Sequence, residues 1–182
     1  MPRQQSQLTL EHILLGFLAN QPMHGYDLYK LIQGCEAIAL IWKIKQSQLY
    51  ALLEKLEKLG LLRSAQVAGE IHPWRREYQI TEAGRKQLDD WMSSPVAHGR
   101  DMRQEFLARL FFASQAKEGV AANLIEKQAE ICDQWISGLQ ASLEAHKADG
   151  GEPAFVEMVY RFRIQQAQAM RSWLEECRET LK

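Results

Sequence analysis

Three polar side chains stand together at the start of one strongly patterned helical segment. Gln46, Ser47 and Gln48 open a stretch whose leucine stripe runs from Leu49 to Leu59. Glutamine can bond adenine through two parallel hydrogen bonds, and serine can bond several bases. These three residues could therefore recognise base edges, although the same residues also suit a helix cap and a solvated helix face.

Basic and aromatic residues flank this segment. Lys43 and Lys45 lie just ahead of it, where phosphates would pass, although ordinary surface lysines would look the same. Tyr50 lies on the polar face of the segment, and Tyr26 lies on an earlier helical segment. An exposed tyrosine needs a partner for its apolar ring, so ligand contact and partial core packing both remain open.

Other kinds of site find little support. The five histidines lack ligand spacing, and the chain has no Ser-His-Asp signature, phosphate-binding loop or dinucleotide-binding glycine pattern. We therefore expect no enzyme, no metal and no cofactor.

Cys35, Cys132 and Cys177 are odd in number and far apart, which fits neither a disulfide framework nor a metal site. Buried thiols are the simple interpretation, and a redox sensor is the alternative.

The chain has 182 residues, enough for one domain or two small ones. No stretch approaches the ~18 consecutive apolar residues of a membrane span, and the first residues lack the apolar core of a signal peptide. We therefore expect a cytoplasmic protein without a membrane segment. The net charge is −1, so any argument for nucleic acid rests on where the charges lie and not on their total.

The hydrophobic pattern places these residues on an ordered series of elements. Helical spacing predicts helices over about 9–19, 25–33 and 46–59, and strand-like alternation follows over 61–67 and 74–80. The apolar segment 35–43 either continues the second helix or covers the core. Thr81 is the expected N-cap of a fourth helix that ends near residue 92. Three helices, a hairpin and another helix, all within residues 1–95, are the order of a winged helix-turn-helix.

Residues 96–182 are predicted to form a separate helical domain. After a polar linker over 98–103, helices are expected over about 105–113, 119–146 and 152–181. The last helix carries a heptad seam from Val156 to Leu181, with a second apolar row beside it. An isolated hairpin cannot bury both rows, so we expect a homodimer. The predicted dimer contacts are Phe155, Val156, Val159, Tyr160, Phe162, Arg163, Met170, Trp173 and Leu174. Arg163 either pairs with an acid across the two-fold axis or points outward at the interface edge.

Several short motifs carry a family resemblance. They are LLGFL (14–18), MHGYDL (23–28), QLYALLEKLE (48–57), LGLL (59–62) and REYQITEAG (76–84). With them, the first 92 residues resemble the PadR family of transcriptional regulators, and the helical remainder looks like the virulence-activator branch of that family in length and helix order. The resemblance implies that Tyr26 and Tyr50 contact the phosphate backbone of DNA.

The predicted hairpin supplies two further candidates. Arg75 and Arg76 are the best wing contacts to DNA, with Arg75 outward and Arg76 on the core side but able to snorkel. The wing loop, residues 69–74, carries an acidic and a bulky apolar residue, whereas wing tips in the family are usually more basic.

We therefore expect a mostly α protein with a two-stranded wing, acting as a dimeric repressor. Its two recognition helices would enter successive major grooves of an inverted-repeat operator in double-stranded DNA. The alternative is a winged-helix module that binds protein through its C-terminal helices. The five tryptophans and the long apolar helices also allow a small aromatic effector at the dimer interface, as in some family members, and packing explains Trp135 and Trp173 equally well.

Overall fold

The computed structural model describes residues 9–67, 75–150 and 153–181. The chain forms two compact units, one containing residues 1–92 with 107–112, and the other containing residues 93–106 with 113–182. The sequence predicted a single boundary near residue 95. Residues 107–112 instead belong to the first unit, because Ala108 and Phe112 are part of its hydrophobic core. Among the described residues, no helix is long and apolar enough to cross a membrane.

The first unit is a winged helix-turn-helix. Its elements before residue 93 are α1 (Thr9–Leu18), β1 (Met23–His24), α2 (Gly25–Gly34), α3 (Glu36–Ile41), α4 (Gln46–Lys58), β2 (Leu62–Val67), β3 (Arg75–Ile80) and α5 (Glu82–Met92). The expected helices and hairpin are confirmed, and the predicted third helix is α4. The apolar segment after residue 35 holds a helix of its own, α3. The unusual wing loop, residues 69–74, lies outside the described residues.

The sheet has one strand more than the predicted two-stranded wing. Its order is β1-β3-β2, with both pairings antiparallel. In β3, Tyr78 and Ile80 are buried on one face, as the alternation predicted. Met23 of β1 pairs with Tyr78, which ties the entrance of α2 to the wing. A strand of two residues is too short to leave an alternating pattern in the sequence.

Helix α4 ends in a geometry that fixes where the wing begins. Gly60 has a φ of 71°, a left-handed conformation that favours glycine. Its N–H donates to the Glu57 carbonyl at 2.9 Å, and the N–H of Leu61 donates to the Leu56 carbonyl at 3.0 Å. These are the two bonds of a Schellman motif. Leu59, expected on the buried leucine stripe, caps the helix instead and is 55% exposed.

The turn from the wing into α5 confirms the predicted N-cap. The N–H of Gly84 donates to the Thr81 hydroxyl at 3.1 Å, which satisfies a donor that the helix itself leaves without a partner. The hydroxyl in turn donates to the Gly60 carbonyl at 2.7 Å. Thr81 therefore joins the end of α4 to the start of α5.

The second unit is built on a helical hairpin. Its elements are a 3-10 helix (Gly99–Arg103), the ends of α6 (Glu105–Ala113), α7 (Val120–Ala148) and α8 (Ala154–Thr180). Asp133 lies 3.2 Å from Arg171, and the His146 ring lies 6.2 Å from that of Tyr160. The partners of α7 residues thus occur in reverse order along α8, which makes the two helices antiparallel.

The segment expected to be a polar linker is ordered and partly buried. Met102 is buried within the 3-10 helix, and Val96 is buried ahead of it. The fully buried amide of Gln128 holds Val96 on both sides, accepting from its N–H at 2.7 Å and donating to its carbonyl at 3.3 Å. The linker prediction is wrong because residues 99–103 form a 3-10 helix that buries Met102. The buried Gln128 also fixes the backbone just ahead of it, at Val96, which composition alone does not reveal.

Candidate nucleic-acid interface

The start of α4 presents the predicted base-reading residues to solvent. Gln46, Ser47 and Gln48 are all exposed. The preceding residue, Lys45, is extended, and its side chain makes no capping hydrogen bond. The first turn of α4 contains no acidic residue. Backbone donors and three polar side chains therefore face outward together at the positive end of the helix dipole.

Ile44 anchors the segment that leads into α4. Its side chain is buried, and its carbonyl accepts a hydrogen bond from the Gln33 side chain of α2 at 3.0 Å. With Ile44 fixed, Lys43 and Lys45 extend into solvent on either side of it. The two lysines thus flank the entrance of α4 in a defined position. Sequence reasoning placed the lysines but missed Gln33.

The two candidate tyrosines lie on the surface formed by α2 and α4. A Cβ on Gly25 would lie 2.7 Å from Cε1 of Tyr50, so the Tyr50 ring rests against a backbone that only glycine leaves uncovered. Tyr50 nevertheless keeps 36% of its surface exposed, and Tyr26 keeps 50%. The Lys30 ammonium lies 4.6 Å from the centre of the Tyr26 ring, a cation–π distance. Lys30 adds positive charge here that the sequence analysis did not identify.

The wing is tied to α4 by a closed group of three side chains. The guanidinium of Arg76 donates to Glu57 Oε2 at 2.6 Å and to Ser64 Oγ at 2.8 Å. The Ser64 hydroxyl donates to Glu57 Oε1 at 2.6 Å. Donors of Arg76 are thus committed within the chain. The other wing candidate, Arg75, is the first residue of β3, and its side chain lies outside what the structure describes.

Arg76 also packs against the buried tyrosine of the wing. Its guanidinium lies 5.5 Å from the Tyr78 ring centre. Burial raises the pKa of Tyr78, and the positive charge of Arg76 partly opposes that rise. Glu57 and Ser64 were not singled out in the sequence, because their pairing with Arg76 joins elements that are separated along the chain. In the sequence, this pairing is visible only as an acidic residue in the helix that became α4 and an arginine in the predicted hairpin.

A second ion pair holds α4 from its other side. Lys55 Nζ lies 2.9 Å from Glu11 Oε1, and the Glu11 side chain is only 4% exposed. A buried carboxylate without such a partner would be strongly destabilising. Glu11 therefore fixes α4 relative to α1.

The nine residues predicted as dimer contacts fall into three groups in the second unit. Phe155, Val159, Phe162 and Arg163 are exposed, and Val156, Tyr160, Met170 and Trp173 are partly buried. Leu174 is completely buried within one chain, so its assignment to a dimer surface is wrong. Met158, which was missed, is 64% exposed and joins the exposed residues.

We call Phe155, Met158, Val159 and Phe162 the exposed row. They follow the i, i+3, i+4, i+7 spacing of a single helix face. Phe155 and Phe162 keep 69% and 59% of their surface exposed. Four large apolar side chains thus form one patch on α8.

Comparisons with known protein families match both the winged helix-turn-helix and the C-terminal helices. Residues 14–90 match the transcriptional regulator PadR-like family, and residues 102–182 match the virulence activator alpha C-terminal family. The chain is similar to the negative transcriptional regulator PadR of Bacillus subtilis, with 24% identity over 92% of this chain and 94% of the relative.

Two solved structures of Bacillus subtilis PadR are also similar to the chain. One is a complex with operator DNA, with 24% identity, a TM-score of 0.47 and full coverage of both chains. The other is a complex with p-coumaric acid, with 24% identity, a TM-score of 0.43 and coverage of 95% of this chain and 98% of that one.

Proposed function

The chain belongs to the PadR-like family of transcriptional regulators, and on this premise we propose that it binds operator DNA as a homodimer and represses transcription. The observation that carries the proposal is the exposed start of α4, where Gln46, Ser47 and Gln48 stand beside backbone donors with no acid in the first turn. Base edges in the major groove are the targets that such a helix end matches.

The residues around α4 support backbone contacts on either side. Lys43 and Lys45 are exposed just ahead of α4 and would meet one phosphate strand, and the exposed Tyr26 and Tyr50 would offer hydroxyl groups from the adjoining surface of α2 and α4. Contacts of this kind set the register of a protein on the duplex but read no sequence. The proposal therefore assigns sequence reading to residues 46–48 and positioning to the lysines and tyrosines. Arg75 is retained as a wing contact.

The dimer is the second part of the proposal. The exposed row of α8 is an apolar patch of the kind that marks an interface, and a second copy of the same row would cover it. A two-fold axis would then present two α4 helices to an inverted repeat. The Bacillus subtilis relative is a negative regulator, and we carry that sign over to this chain. The aromatic effector that the sequence allows stays one of two open interpretations of Trp135 and Trp173.

Selection of genomic DNA fragments by the purified protein, followed by sequencing, tests the proposal. We expect enrichment of inverted repeats, and we expect affinity for them to fall steeply with salt because phosphate contacts release counterions. The alternative is a winged-helix module that binds another protein. It predicts no enriched sequence and no salt-dependent shift of DNA, and that outcome would remove the proposed function. Loss of reporter expression when the protein is supplied tests repression separately.

A further inference from the structure

The first residue of α2 lies directly against a candidate DNA contact of α4. A Cβ built on Gly25 would lie 2.7 Å from Cε1, 3.2 Å from Cζ and 3.3 Å from the hydroxyl oxygen of Tyr50. The outer edge of the Tyr50 ring therefore occupies the space that a side chain at position 25 would need. The φ of Gly25 is not positive, so the backbone conformation does not itself require glycine.

Three glycines in the described part of the chain leave no room for a Cβ, and they differ in what a side chain would displace. A Cβ on Gly16 would lie 2.3 Å from the ring of Phe112, which is buried in the core. A Cβ on Gly84 would lie 2.3 Å from the backbone oxygen of Leu61. At Gly25 the obstacle is the end of a side chain that is 36% exposed and can turn outward into solvent. A methyl group at this position would thus displace the tyrosine and leave the core undisturbed.

Tyr50 also lies close to the wing. β1 ends at His24, immediately before Gly25, and β1 pairs with β3. Burial is the main reason that the pKa of Tyr78 in β3 is raised, and the ionised hydroxyl of Tyr50 adds to that rise, so the two hydroxyl groups lie near each other. The space left by Gly25 therefore fixes the Tyr50 ring at the point where α2, α4 and the sheet meet.

We propose that Gly25 is a positioning residue for DNA binding, which acts by leaving the space that holds the Tyr50 ring in place. A hydroxyl group held in one position can donate to a phosphate without first losing the rotational freedom of a mobile surface tyrosine. The inference rests on the proposed function, in which Tyr50 contacts the phosphate backbone. It also explains why glycine begins α2, although alanine is the better helix former.

The position of the ring is tested first, without DNA, by NMR of the full-length protein with isotope-labelled tyrosine rings. The chain has five tyrosines, and the signal that Tyr50→Phe removes identifies Tyr50. Gly25→Ala should shift this signal. Gly34→Ala is the matched control and should not, because Gly34 ends the same helix and a Cβ there would have nothing within 4 Å.

Stability distinguishes a displaced side chain from a damaged core. Gly25→Ala should unfold in urea at a midpoint no lower than that of the unaltered protein, because alanine favours the helix and the ring can move outward. Gly84→Ala should lower the midpoint, because its Cβ would meet backbone. An unshifted Tyr50 signal, or a lowered midpoint in Gly25→Ala, would overturn the proposal.

Operator affinity then tests the link to DNA. Tyr50→Phe removes only the hydroxyl group and should weaken binding about tenfold, as expected for one hydrogen bond to a charged phosphate. Gly25→Ala should cause a similar loss, and the double variant should lose little more, because the two changes remove the same contact. Gly34→Ala should keep full affinity.

Additive losses, or full affinity in either single variant, would contradict the positioning role and leave the proposed function intact. The proposed function itself fails if the unaltered protein selects no DNA sequence. That outcome would remove the role of Gly25 in DNA binding, but not the packing of the Tyr50 ring that NMR measures.

Discussion

Arg76 of the wing donates to Glu57 of α4 at 2.6 Å, and Ser64 closes the group by contacting both residues. An arginine that the sequence offered as a DNA contact is therefore bound to a carboxylate of its own chain. The side chains of the pair are only partly buried, 48% and 28% exposed. A hydrogen-bonded group of this kind orients the hairpin on α4 more than it stabilises the fold.

The two wing arginines should consequently behave differently when they are removed. Arg75→Ala is expected to flatten the plot of log affinity against log salt by about 0.9 units if the side chain contacts one phosphate. Arg76→Ala should leave that slope nearly unchanged and lower the free energy of unfolding by about 1 kcal/mol or less. Salt titrations of DNA binding and urea unfolding measure the two effects.

Glu57→Ala provides the control for Arg76. If the pair acts as described, the double variant Glu57→Ala/Arg76→Ala should unfold with less than the summed loss of the two single variants. A slope change in Arg76→Ala equal to that of Arg75→Ala, with additive stabilities, would return Arg76 to the list of phosphate contacts.

This pair also illustrates what one sequence can predict. Periodicity and capping signals identified α4, its glycine stop, the hairpin and the Thr81 cap, because each depends on residues close together in the chain. The partners of Arg76, Lys55 and the Ile44 carbonyl lie far away in sequence, and nothing local selects Glu57, Glu11 or Gln33 from other polar residues. The sequence therefore predicted which residues lie on the surface of the site, but it did not predict the contacts that hold them in position.

The place of residues 107–112 was missed for a similar reason. Residues 107–112 follow the segment 93–106 of the second unit in sequence but belong to the first unit, where the Phe112 ring lies 5.6 Å from that of Phe17. A fragment ending at residue 95 would lack Ala108 and Phe112 and leave part of that core uncovered. The helical pattern of α6 predicted an apolar face but carried no information on which unit would bury it.

The start of α4 should carry sequence specificity. Ser47→Ala and Gln48→Ala are each expected to weaken binding to the selected operator by roughly 1–3 kcal/mol, and to change binding to random DNA much less, because lost base contacts affect only the preferred site. Titrations on both DNAs measure the difference. Glu54→Gln, an exposed position further along α4, is the control and should not lower the specificity ratio. Equal losses on operator and random DNA would show that these side chains do not read bases.

Cys132 should be unreactive in the folded protein. Its side chain is buried, and burial raises the pKa of the thiol to about 11. The thiolate is the reactive form, so at pH 8 a thiol reagent should modify Cys132 only after unfolding. Mass spectrometry of native and urea-treated samples identifies the modified residue. Rapid modification of Cys132 in the native state would favour the redox-sensor interpretation.

The same shift predicts a pH dependence of stability. The unfolded thiol ionises near pH 9 and the folded thiol near pH 11, so the folded state binds more protons between these values. The contribution of Cys132 to stability is therefore fully present below pH 9 and is lost as the pH rises toward 11. Urea unfolding across this range should show a smaller decline for Cys132→Ala than for the unaltered protein. Parallel declines would mean that the thiol does not titrate as described.

The exposed row of α8 should hold two copies together. Phe155→Asp/Phe162→Asp places charges on two side chains that are more than half exposed, so the chain itself should fold while the apolar interface is lost. Sedimentation should show a dimer for the unaltered protein and a monomer for the variant. Operator affinity should fall by roughly 10²–10⁴-fold, because the second half-site is no longer an intramolecular contact.

Gln168→Asp, an exposed position on the same helix outside the row, should leave both measurements unchanged. A variant that remains dimeric, or a monomer that binds the operator as tightly as the unaltered protein, would contradict the dimer proposal.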